Sequence, residues 1–287
     1  AVVRNNVQLV YVFPTPNDPD TAERRSDGRA QPGNGYTLQG ASFRCLIEGN
    51  IVSQAALIKD LGFEEGKRGS GFALSTSPLE FQDGQIYSQQ NNTVRGNIGY
   101  RTEVGLSVKG NWTEVEGNVV EDNVFVADQA ISDGRVENLS SPEQLKVHNN
   151  RFYANSASLP DGKWMGSANT LAPYTDAAER ENWPDPDRTL KRYVTEVLGM
   201  TLLDWSDDPW LPEDEVAPRV KAGEPYDPMG VKTFMAVATN MRQGGTTPIP
   251  ASGKPSWSGD YPWDARFTGV AVVNWIREGF GLPPLPN

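Results

Sequence analysis

The side chains able to do chemistry are unevenly spread along the chain. Lys59-Asp60 with Glu64, Glu65, Lys67 and Arg68 form one mixed-charge cluster, followed by Arg101 with Glu103 and by Lys109 just ahead of Trp112. A basic side chain can take a proton from a carbon α to a carboxyl group while a second cation holds the enolate that develops. On that chemistry Lys59, Arg68, Arg101 and Lys109 are the candidate catalytic residues. Exposed charged turns would present the same residue types. Asp122, Asp128 and Asp133 could instead pair as acid and base, roughly 5 Å apart for a retaining and 6.5–9.5 Å for an inverting cleavage. Asp207-Asp208, between Trp205 and Trp210, reads as an acidic loop.

Binding alone asks for less. Trp112, Trp164, Trp183, Trp205, Trp210, Trp257 and Trp263 lie near Asp or Asn, where an indole can stack on a sugar ring or pin a Pro-rich loop to a sheet. Trp112, Glu103 and Arg44 are the candidate substrate contacts. With one His and one Cys in 287 residues, multi-His metal centres, Cys-rich metal sites and intrachain disulfides are excluded. His148 reads as a turn residue and Cys45 as a small apolar one. No metal ligand set and no cofactor is expected; Ca²⁺ is the one ion the Asp-rich loops could hold, without a twelve-residue loop of the EF type. A net charge of -11 argues against nucleic acid as a partner. No apolar run approaches the roughly 18 residues of a membrane span, so none is expected.

The elements that must position these residues follow from a repeat. An aliphatic residue, any residue, Gly or Asn, then Asn recurs as Val3-Arg4-Asn5-Asn6, Ile47-Glu48-Gly49-Asn50, Val94-Arg95-Gly96-Asn97, Val115-Glu116-Gly117-Asn118 and Val147-His148-Asn149-Asn150. The last asparagines are spaced by 44, 47, 21 and 32. Those gaps predict a coil of about 21 to 23 residues with insertions. Gly and Asn tolerate the positive φ that a tight turn needs, and stacked coils place asparagines where their amides bond in a ladder. Thr37–Arg44, Gly105–Lys109 and Val124–Val126 supply further strands; Pro14–Asn34, Ser77–Asn92 and Ala127–Gln144 read as insertions.

After about Asn155 the repeat stops. A helix capped by Asp187 would bury Leu190, Tyr193, Val194, Val197 and Leu198. A second is expected over Val231–Arg242, and a third from after Thr268 to Gly279, burying Val272, Val273 and Ile276. The expected organisation is therefore mainly β: parallel coils over 1–155, and a helical, Trp- and Pro-rich cap over 156–287 packed on the solenoid.

With those turns in view, residues 1–155 resemble the right-handed parallel β-helix of the pectin-lyase-like superfamily. The tail, from Asp187-Arg188-Thr189 through Phe234-Met235-Ala236 to Asn274-Trp275-Ile276-Arg277-Glu278-Gly279-Phe280-Gly281, is similar to the C-terminal segment of predicted secreted bacterial β-helix proteins. The resemblance implies an extracellular or cell-surface protein that binds or processes a polysaccharide, as a lyase or glycosidase would. It also implies Lys or Arg as the base, sometimes with Ca²⁺. A non-catalytic subunit of a surface assembly has the same architecture. Because Val2–Val12 opens as if inside a fold, a second polypeptide continuing the solenoid at the N-terminus is expected.

Overall fold

The structure is a computed structural model that describes residues 1–9, 12–13, 31–32, 35–55, 69–76, 79–80, 86–175, 182–198, 266 and 268–286. The chain divides into two compact units, residues 1–15 with 23–184, and residues 16–22 with 185–287. The described strands are β1 (Val2–Arg4), β2 (Val7–Gln8), β3 (Val12–Phe13), β4 (Gln31–Pro32), β5 (Tyr36–Gln39), β6 (Leu46–Glu48), β7 (Ile51–Ser53), β8 (Ser70–Thr76), β9 (Leu79–Glu80), β10 (Ile86–Tyr87), β11 (Thr93–Arg95), β12 (Ile98–Asn111), β13 (Asn118–Glu121), β14 (Val124–Glu137), β15 (Leu145–His148), β16 (Arg151–Tyr153) and β17 (Thr170–Ala172). Lys59, Arg68 and the helix expected over Val231–Arg242 lie outside the described residues.

The first unit is mainly β, and its two large sheets are parallel. One has the order β1-β6-β11-β13-β15; the other has β17-β16-β14-β12-β7-β2, with β5 and β8 joined to β12. Neighbours in each sheet are successive passes of the chain, so like positions lie in register. Val3, Ile47, Val94, Val120 and Val147 form one row across the first sheet, and Ile51, Ile98 and Val124 begin each pass through the second. The segment Ala127–Gln144, expected as an insertion, instead supplies most of β14, because Ala127, Ala130 and Ile131 face the core.

Asparagine turns fix where each pass leaves the first sheet. Asn6, Asn50, Asn97, Asn123, Asn150 and Asn169 form a ladder in which each backbone N–H and Nδ2 donates to the Oδ1 of the next, at 2.9–3.2 Å. The other Nδ2 hydrogen reaches a strand carbonyl one pass back, such as Val3 for Asn50 and Ile47 for Asn97. The residue before each has positive φ: Asn5, Gly49, Gly96, Asp122, Asn149 and Ala168. The expected repeat is corrected at one point. Asn118 belongs to a second turn at the entry to that sheet, where its Oδ1 accepts from Asn92, whose own Oδ1 accepts from the Cys45 N–H. The shorter ladder steps are therefore 26, 27 and 19 residues, not 21 to 23.

The core lies between the sheets. Tyr36, Phe72, Phe125 and Phe152 make a column of rings with centroids 5.1–5.9 Å apart. Where β12 bends beside this column, Gly105 leaves no room for a side chain: a Cβ there would stand 2.8 Å from the Phe125 Cβ. Trp112 is fully buried in the same core, which overturns its assignment as a sugar platform, since a ring without exposed surface has no face to offer. Trp164 and Trp183 are buried as well, the latter edge-on against Tyr100 at 5.5 Å.

In the second unit, Thr189, not Asp187, caps a single turn α1 (Leu190–Arg192), which passes into a π-helical turn over Tyr193–Val197. Leu190 and Tyr193 are buried as expected. The helix α2 (Gly269–Gly279) starts where Thr268 Oγ1 accepts from the Ala271 N–H, and it buries Val272 and Ile276. Val273 is only partly covered.

Candidate functional site

Three of the described candidates sit on β12, but they do not converge. Arg101 is the extra residue of a bulge between the pairs Tyr100–Val126 and Thr102–Ala127, with φ 54°. Its Nε donates to the Tyr100 hydroxyl at 3.0 Å, and its guanidinium lies 5.5 Å from the centroid of that ring. Glu103 falls between the pairs Thr102–Ala127 and Val104–Gln129, which sets it opposite Asp128. Lys109 lies six residues further on, up to about 20 Å away at 3.3 Å per residue. Arg44 occupies the positive-φ position before Cys45, and its backbone N–H donates to the Gln90 carbonyl at 3.0 Å.

The outer face of the first sheet carries a row of charge. Arg4, Glu48, Arg95, Glu121 and His148 are successive partners in register. Arg4 and Arg95 share Glu48, the latter at 2.6 Å, and His148 Nε2 meets Glu121 at 3.1 Å. The hydrogen bond from Arg95, then that from Arg4, holds the Glu48 carboxyl below the usual carboxylate range. Alternating signs satisfy this row internally, so it offers a ligand little.

The outer face formed by β5, β8, β12 and β14 is different. Leu38, Leu74, Leu106 and Val108 point into the core, so the alternate positions face outward. They form two rows in register: Thr37, Ala73, Ser107 and Ser132, then Gln39, Ser75, Lys109 and Arg135. Ala73 and Ser107 are buried, whereas Thr37, Gln39 and Arg135 are exposed and Ser75, Lys109 and Ser132 are half-buried. Lys109 and Arg135 thus stand side by side, one strand spacing or about 4.8 Å apart. Among the described residues neither makes an ion pair or a side-chain hydrogen bond. Two adjacent cations among hydroxyls and an amide can hold the polar and anionic groups of an extended ligand lying across the strands. This face unites Lys109 with residues that the sequence did not single out. The corrected period would have found the partner, because an offset of 26 carries Lys109 onto Arg135.

Among the described residues no three His, Cys, Asp or Glu side chains come together as a metal site, and no helix is long and apolar enough to cross a membrane. The chain matches no protein-family model, no curated protein and no solved structure.

Proposed function

We propose that residues 1–172 form a parallel β-helix, akin to the pectin-lyase-like proteins, that binds a polysaccharide along the face of β5, β8, β12 and β14. Parallel strands linked by crossovers, in-register rows and a continuous asparagine ladder support the helix, and crossover connections of this kind are right-handed as a rule. The observation that carries the ligand is the outward row Gln39, Ser75, Lys109 and Arg135, a strip of donors repeating at the strand spacing, about the length of one sugar unit. On this reading we propose a location outside the cell or at its surface. Processing of the polymer would draw on Lys109, the one described catalytic candidate on this strip.

The test is retention of the purified chain on a panel of immobilised neutral and acidic polysaccharides, beside Ser132→Trp, which sets a bulky ring on the half-buried strip. Retention by at least one polymer that Ser132→Trp loses, with the far-ultraviolet spectrum unchanged, is the expected result. Retention by none would overturn the proposal.

A second reading, a structural subunit of a surface assembly, is favoured by the sheet edges. Among the described residues β1 pairs only with β6 and β2 only with β7, so backbone donors and acceptors are left for a further strand. A co-purifying polypeptide in fixed stoichiometry, seen by intact mass, would support it.

A further inference from the structure

Resting on the polysaccharide-binding reading, we infer that Lys109 and Arg135 together form a subsite for a sulfate ester carried by the bound saccharide. Like charges directly opposite each other on neighbouring strands repel, and a sheet ordinarily avoids the arrangement. Elsewhere the described cations are set against carboxylates: Arg4 and Arg95 flank Glu48, His148 meets Glu121, and Arg188 and Arg192 close on Asp185. The Lys109–Arg135 pair departs from that habit in a protein of net charge -11, where carboxylates to neutralise it are plentiful. Two stand close by. Asp133 lies in the bulge of β14 between the pairs Ser107–Ser132 and Lys109–Arg135, and Glu137 follows two residues after Arg135 opposite Asn111. Neither makes an ion pair with the cations among the described residues. The pair is left for an anion from outside.

The donors select the shape of that anion. Lys109 brings three N–H groups on a mobile stem, and Arg135 brings a planar fork of five. The Ser75 hydroxyl stands next in the row on one side of Lys109, and Ser132 lies on the same face of β14 as Arg135. A planar carboxylate has two oxygens, which one guanidinium fork fills on its own. The three terminal oxygens of a sulfate ester can engage the fork, the ammonium and a hydroxyl together. A neutral sugar would leave both cations without a counter-charge beneath it.

The probes are dextran, dextran sulfate and polygalacturonate, compared by affinity electrophoresis at neutral pH and moderate salt. Dextran and dextran sulfate share a backbone, so their difference isolates the ester. The expected result is retardation by dextran sulfate, weakened about tenfold in Lys109→Gln and again in Arg135→Gln, the loss of one charge-assisted bond each. Arg95→Gln removes a cation of the first sheet and should bind as the parent does, which separates the subsite from general charge. Equal retardation by polygalacturonate would overturn the sulfate assignment. Binding unchanged in both variants would overturn the subsite while leaving polysaccharide binding intact. Retention by no polymer, here and on the wider panel, would overturn both.

Discussion

Asn97 has no exposed surface and no unused hydrogen-bonding capacity. Its Oδ1 accepts from the backbone and side chain of Asn50 at 2.9 and 3.0 Å, and its Nδ2 donates to the Ile47 carbonyl at 3.0 Å and to Asn123 at 2.9 Å. Asn97→Ala would strand several buried partners at once, at roughly 1–3 kcal/mol apiece. A loss above about 3 kcal/mol is expected in urea unfolding. Asn6 makes the same kind of bonds at the exposed end of the ladder, where water can replace them. Asn6→Ala should therefore cost about 1 kcal/mol or less. Equal losses for the two variants would show that the ladder draws nothing from burial.

Helix α2 is tied to the segment before it by one carboxylate. Asp185 receives Arg192 at 3.0 Å and Arg188 at 3.2 Å, and both guanidiniums lie over the Trp275 ring, 5.8 and 4.9 Å from its centroid. Arg188 also donates to the Trp275 carbonyl at 2.6 Å and to Glu278 at 2.7 Å. The hydrogen bond from Arg192, and then that from Arg188, holds the Asp185 carboxyl below its ordinary value. A depressed carboxylate stabilises the fold fully above its unfolded value, about 3.9, and loses that contribution as pH falls through the lower folded value. The thermal midpoint of unfolding should therefore drop as pH is taken from neutral to below about 4. Asp185→Asn should lower the midpoint at neutral pH and flatten this acid limb. A variant that keeps the parent's acid dependence would locate the sensitive carboxylate elsewhere.

On the scale of the whole first unit, the turn chemistry was legible and the period was not. β11 and β13 use a positive-φ residue before an asparagine at both ends, so Gly117-Asn118 at the entry looks in sequence like Gly96-Asn97 at the exit. The true exit of that pass, Asp122-Asn123, lacks the glycine and was passed over. Trp112 was misread because its charged neighbours suggest a loop, whereas the corner after β12 turns its ring inward. The helix ending at Gly279 was legible because its signals are local: Thr268 at its start, an apolar stripe and Gly279 at its end. Arg135 was hidden because its pairing with Lys109 exists only once the passes are in register. That register can be tested directly. Deleting residues 98–123 joins Asn97 to Val124, which stand at equivalent points of successive passes, since Ile98 pairs with Val124 and Asn97 bonds Asn123. The shortened chain would set β14 against β7 and β8, and β11 against β15, with every inward row still facing inward. It should unfold cooperatively with a smaller urea dependence, as expected for one pass less of buried surface. Deleting residues 98–110 removes about half a pass and puts outward residues where inward ones belong, so that chain should not fold. Equal folding of the two deletions would rule out a 26-residue structural unit.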